Sequence, residues 1–234
     1  MRIFQGLSII VLLAAGCASA EERITLPKLY LEGQVGAVAL GDLDSKPLTG
    51  TGLMNGSSVT YNNFKLSQTA DPTTAYGGEI GIRNLFNTRF RLGLAWVGFQ
   101  QKIKDINGTG GFTTTGGTYT LGAGSTPPNS ALSAAGVHFD NRLNIYTANA
   151  YYDFRQVMWH RPFIGFGVGT ADIEHSTKKS LTMTGSVGTQ VNITRNIYAG
   201  VKLTGYWIKG PKDGLIDYKP ITAGTALFTT GVHF

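Results

Sequence analysis

Side chains able to do chemistry are few and scattered along this 234-residue sequence, and their spacing argues against a compact catalytic site. The one local grouping of acid, base and hydroxyl is Glu174-His175-Ser176. A serine hydrolase needs the imidazole within hydrogen-bond reach of the hydroxyl, with a carboxylate behind it. Neighbours on a strand point to opposite faces, so His175 and Ser176 meet only if a turn folds them together. The segment reads as an ordinary polar connection and the protein as no enzyme. His138, His160 and His233 are isolated, without metal-ligand spacing. Gly165, Gly167 and Gly169 repeat every second residue. That is the period of one strand face with room beneath it, not of a phosphate loop. No cofactor and no metal are expected.

A second constellation is spread along the chain. Glu32, Gln34, Glu79, Arg91, Gln190 and Lys202 each lie on the polar side of a segment whose other side is apolar. If those segments close around a lumen, the charges meet inside it. They then form either a structural plug or a gated polar path, and the plug is the preferred reading, since narrow barrels fill their interiors with side chains. Arg91 is the expected partner of Glu79, with Lys202 reaching across.

The composition fits such a container. Charged residues are only 15% of the chain, against roughly 25% in soluble domains, and glycine is abundant at 32 residues. After the N-terminus there is no apolar run long enough for a membrane-spanning helix. The formal charge is +6, but Lys178-Lys179 is the only adjacent basic pair. Nucleic-acid binding would need a stripe or cluster, so the charge reads as a solvated surface attracted to anionic lipid headgroups.

The elements that must position these residues are read from two-residue alternation. Eight runs show it: Leu29–Leu40, about 74–84, about 89–102, Asn141–Phe154, from Pro162 to about 171, Ser180–Ile193, Ile197–Ile208, and a last run ending at Phe234. Polar stretches at about 41–73 and 103–140 read as long loops, the second as a candidate projecting hairpin. Short connections follow runs two, four and six, and longer ones follow the odd runs. The fold class expected is all-β, an eight-stranded antiparallel transmembrane barrel with short periplasmic turns and long extracellular loops. Lipid cannot satisfy exposed peptide groups, so the sheet must close. The apolar face then looks outward.

The first residues set the compartment. Met1-Arg2 precedes an apolar run from Ile3 to Ala15, broken by Gln5, Gly6 and Ser8, and Ala18-Ser19-Ala20 follows. This is a secretory signal over residues 1–20, with Ala18 and Ala20 at the positions a leader peptidase reads. Residues 21–28 are a periplasmic lead and 29–234 the barrel. Cys17, after Ala14-Ala15-Gly16, partly resembles a lipoprotein box but lacks the usual large aliphatic residue at Ala14. Cleavage after Ala20 would remove the only cysteine.

Asn149-Ala-Tyr-Tyr-Asp-Phe154 followed by Pro162-Phe-Ile-Gly-Phe-Gly-Val-Gly169 resembles the OmpA-like and Opa-like superfamily of small outer-membrane barrels, including the "porin family" surface proteins. The ending is similar too, with Phe228 and Val232 alternating back from Phe234, although His233 stands where tyrosine or arginine is frequent. The resemblance implies an outer-membrane surface protein of Gram-negative type, a monomer with loops that contact host or neighbouring cells. It implies lipopolysaccharide and other outer-membrane lipids as surroundings, and a barrel assembly machinery that reads Phe228, Val232 and Phe234. A small channel and a rim enzyme modifying lipid are the alternatives.

Overall fold

The computed structural model describes residues 27–54, 57–85, 89–114, 117–125, 140–174, 176, 178–213 and 216–234. The leader positions Cys17, Ala18 and Ala20 and most of the lead lie outside these residues. In chain order the strands are β1 (Lys28–Leu40), β2 (Leu43–Asp44), β3 (Leu48–Met54), β4 (Ser57–Asp71), β5 (Thr73–Arg83), β6 (Phe90–Thr114) and β7 (Gly117–Ser125). They continue with β8 (Asp140–Asp153), β9 (His160–Ile173), β10 (Ser180–Asn192), β11 (Ile197–Ile208), β12 (Lys212–Asp213), β13 (Ile216–Asp217) and β14 (Ile221–His233).

Eight of these strands form a ring. Antiparallel pairing runs β6-β5-β1-β14-β11-β10-β9-β8, and β8 returns to β6. The sheet therefore has no edge within the ring, as lipid demands of any spanning sheet. Following paired residues from Leu40 through Ala223, Tyr206, Thr184, Gly167, Asn149, Gly93 and Gly81 brings one back to β1 at Tyr30, ten residues away. With strands ~4.8 Å apart and a rise of ~3.3 Å per residue, that stagger tilts the strands by about 41°. At this tilt eight strands enclose a space that side chains can fill.

The outward face is apolar on every strand of the ring. Leu31, Ile80, Leu94, Phe166, Val201 and Phe228 are all exposed there, Leu94 at 65%. Such a continuous apolar belt far exceeds the patches a soluble protein shows water; a hydrocarbon surround removes its cost. The fold is thus a closed eight-stranded transmembrane barrel. Phe90, Tyr152 and Phe154 stack edge to face toward the short turns, and Tyr76 meets Trp96 toward the other end.

The first polar stretch differs from expectation, and the second forms the projecting hairpin in its described part. The first carries β3 and β4 instead of an extended loop; β6 runs about twelve residues past Lys102, and its extension pairs with β4 on one side and with β7, the hairpin's second strand, on the other, while β3 pairs β4. A four-stranded sheet therefore rises above the barrel. Its alternation is broken by a bulge, which is why sequence periodicity passed over it. Val59 and Tyr61 are buried on one side of Asn63, Phe64 and Leu66 on the other, a change of parity produced by the register shift between Asn62 and Lys65. Asn63 has φ 48°, and Gly110 opposite has φ 88° with a Cβ position only 2.3 Å from the Asn63 carbonyl oxygen. Only glycine suits that site.

Candidate functional site

The inward residues form two layers. In the half toward the short turns they are ionic and phenolic; in the half toward the β3–β4 hairpin they are mostly apolar, with Gln101, Ser180 and Thr182 buried among them. Glu32, Gln34, Glu79, Arg91, Gln190 and Lys202 are all placed in the lumen and buried.

Glu32 on β1 and Glu79 on β5 stand directly opposite one another, an arrangement that like charges disfavour. Lys202, carried by β11, lies across the lumen with its Nζ 3.2 Å from a carboxylate oxygen of each. Phenols complete both shells. Tyr30 donates a hydrogen bond to Glu79 Oε1, and Tyr151 donates to Oε2 at 2.7 Å. Tyr198 donates to Glu32 Oε2 at 3.0 Å, with the Gln190 amide 3.5 Å from the same oxygen. Buried charge is tolerable when its lone pairs are answered in this way.

A second cluster mirrors the first with the signs reversed. Arg83 and Arg91 are directly opposite on β5 and β6, and Asp153 from β8 lies 3.5 Å from each. The Arg91 guanidinium also lies over three rings, 4.4 Å from the Tyr151 centroid, 4.9 Å from Phe163 and 5.4 Å from Tyr30. Ring faces attract cations.

The expected Arg91–Glu79 pair is therefore incorrect. The β5–β6 register puts Ala95 opposite Glu79 and Arg91 opposite Arg83, so Arg91 sits one layer nearer the short turns. The register that decides this is a property of the closed ring, invisible in either strand alone. Sequence reading also passed over Asp153 as an ion partner, along with Tyr30, Tyr151 and Tyr198. Charge balance was the available signal: with Arg83 on the inward face beside Arg91 and Lys202, two glutamates leave one cation unanswered, and Asp153 shares the inward face of its strand.

Gln34 is buried in the lumen but outside this network. Its amide has no hydrogen-bond partner among the described residues. It borders a cavity of about 10 Å³ shared with Thr147, Asn149, Ser186 and Lys202, close to the least space a water needs. Glycines give the aromatic rings their places. A Cβ at Gly165 would lie 2.2 Å from a Tyr151 ring carbon, and one at Gly93 would lie 2.3 Å from the Tyr30 hydroxyl.

The second layer corrects the expectation of a wholly polar filling. Val97, Phe99, Leu143, Ile145, Ile208 and Leu227 point inward and are buried. They join one cluster with Leu43, Tyr61, Phe64, Leu66, Phe112 and Tyr218 from the sheet and connections above. On most strands both faces turn apolar here because the inner one packs on protein rather than water. The connections are also tied to each other. Lys46 N–H donates to the Asp217 carbonyl at 2.7 Å, Lys219 N–H to that of Asp44 at 2.8 Å, and Lys219 Nζ lies 3.3 Å from Asp44.

The described residues of the Glu174–Ser176 segment contact the backbone of neighbouring connections. Glu174 accepts from the Arg142 N–H at 3.1 Å, and the Ser176 hydroxyl lies 2.9 Å from the Lys178 carbonyl and 3.1 Å from that of Lys212. His175 lies outside the described residues. At the chain end, Phe228 and Phe234 face outward and Val232 lies half-buried on that same side. Their strand closes the ring between β1 and β11.

Ring closure, an apolar belt and a filled, charged lumen define a small membrane barrel. Several solved structures align with most of the chain, among them the outer membrane protein OprG. Neisserial surface protein A is 12% identical, with a TM-score of 0.47, over 88% of this chain and 97% of that one. OprG from Pseudomonas aeruginosa is 13% identical, with a TM-score of 0.48, over 88% and 95%. The Yersinia pestis attachment invasion locus protein Ail, solved with a heparin analogue, is 13% identical, with a TM-score of 0.34, over 88% and 99%. No protein-family profile matches the chain, and no curated protein does.

Proposed function

We propose that the chain is an outer-membrane surface protein whose barrel is a closed anchor and whose working part is the β-sheet that rises from it. The observation that carries this reading is the filling of the lumen. The cavity beside Gln34 and Lys202 is about 10 Å³, and the inward side chains around it are buried. Investment in structure is instead at the long-connection end, where the strands β3, β4, β6 and β7 continue beyond the belt. Surface specificity in such scaffolds resides in the segments that the rigid part displays. The sheet presents hydroxyls on its exposed face, including the Thr51–Thr60 and Thr113–Thr118 contacts at 2.9 and 3.1 Å. On this reading the short turns face the periplasm and the sheet faces outward, toward host or neighbouring cells. The barrel is monomeric, sits among lipopolysaccharide and phospholipid, and is assembled by machinery that reads Phe228, Val232 and Phe234.

The test has two arms. Purified protein in a planar bilayer is expected to add no discrete conductance steps; reproducible steps would replace the anchor with a channel. Trimming β3 and β4 to a short turn, with the ring retained, is expected to abolish adhesion of expressing cells to host surfaces or to each other. Undiminished adhesion would move the function elsewhere.

A further inference from the structure

The mouth of the lumen at the short-turn end holds more positive charge than the interior neutralises. Lys28, Arg83 and Arg91 stand side by side on three adjacent strands, each directly opposite the next. Within the lumen three acids, Glu32, Glu79 and Asp153, balance three bases, Arg83, Arg91 and Lys202. Lys28 is left over. So is Arg161, on the inward face of β9; neither has an ion-pair partner among the described residues. Asp153 gives them little relief, because its carboxylate is already divided between Arg83 and Arg91 at 3.5 Å each.

These cations surround an open cavity of about 150 Å³ lined by Lys28, Arg83, Asn84, Arg161, Asn192 and His233. Three of the six are cations, two are amides able to turn an NH2 inward, and His233 leaves no acceptor free. Its Nε2 lies 2.7 Å from the Arg195 carbonyl, which can only accept, so Nε2 carries the proton and Nδ1 receives Arg83 at 3.4 Å. A cavity several times a water's share of liquid volume, about 30 Å³, has room for a tetrahedral oxyanion with water around it.

We infer that this mouth is a binding site for a phosphate-type anion, held by Lys28, Arg83 and Arg161 with the Asn84 and Asn192 amides at its rim. The two uncompensated cations set the sign of the ligand's charge. Arginine forks and amides suit the oxygens of a phosphoryl group. The phosphate is either a soluble phosphate ester or the headgroup of an anionic phospholipid from the adjoining leaflet.

The full-length chain, extracted from outer membranes into neutral detergent, is titrated calorimetrically with inorganic pyrophosphate at constant ionic strength. One saturable site is expected. Arg161→Gln and Lys28→Gln should each weaken it about tenfold, the loss of one charge-assisted contact, whereas Arg161→Lys, which keeps the charge and loses the fork, should weaken it less than Arg161→Gln, and the remote Lys178→Gln should leave it within about threefold. Both glutamine variants lie outside the buried ion network, and unheated gel migration checks that they fold. In nanodiscs, weaker pyrophosphate binding with phosphatidylglycerol than with phosphatidylcholine identifies the headgroup as occupant. Equal binding in both identifies a soluble anion. No saturable binding in detergent, or unchanged affinity in both glutamine variants, overturns the site.

Discussion

Replacing Lys202 with methionine isolates the central element of the lumen. The ammonium lies 3.2 Å from Glu32 and 3.2 Å from Glu79, and its side chain and both carboxylates are 6% exposed or less. Methionine keeps most of the volume and removes the charge, leaving two carboxylates directly opposite on β1 and β5. Losing one partner of a buried ion pair costs about 3–5 kcal/mol. Here two anions lose the same cation and also repel each other, which places Lys202→Met near the upper end, about 5 kcal/mol. The phenols of Tyr30, Tyr151 and Tyr198 still donate to them, so unfolding is not expected to be spontaneous. Glu79→Ala should cost less, because Lys202 retains Glu32. Adding Glu32→Gln to Lys202→Met should recover about 1–3 kcal/mol, the range of coupling between residues in contact. The assay is urea unfolding of the reconstituted barrel, followed by tryptophan fluorescence and unheated gel mobility. A cost below about 1 kcal/mol for Lys202→Met would refute the reasoning, since that is the value of a solvated pair, and would mean that water fills the lumen.

Three further outcomes follow from the same geometry. Asp153→Asn leaves Arg83 and Arg91 opposed without a counter-ion and should destabilise by about 3–5 kcal/mol in the same assay; a change under about 0.5 kcal/mol would show that the aromatic rings alone hold Arg91. Gly165→Leu drives a side chain into the Tyr151 ring, where a Cβ already approaches to 2.2 Å, and should lower stability by about 1–3 kcal/mol, the usual cost of overpacking; a wild-type urea midpoint would mean that Tyr151 has room to move. Deleting Phe234 should leave protein in the periplasm, measured by fractionation, because β14 completes the ring; normal outer-membrane yield would remove the terminal residue from the assembly signal.

Much of the barrel was legible because lipid and the pleat impose a strict period of two. Leu31, Val35, Ile80, Leu94 and Phe166 fall on the outward face, and Glu32, Glu79, Arg91 and Lys202 on the inward face, by counting alone. Strand number follows from the same alternation. Which inward groups meet could not be counted. Glu79 bonds a lysine 123 residues on, and Glu32 one 170 residues on, because strands that are not neighbours come face to face only after the ring closes with its ten-residue stagger. The β3–β4 half of the sheet above the barrel escaped for a related reason. At Asn63 a bulge inserts a residue and flips the parity of everything beyond it, so Tyr61 and Phe64 share a face that simple alternation assigns to opposite sides. Alternation is a local consequence of backbone geometry, and the sequence by itself determines it; register and bulges are set by what the closed sheet packs against, and only the tertiary structure decides them.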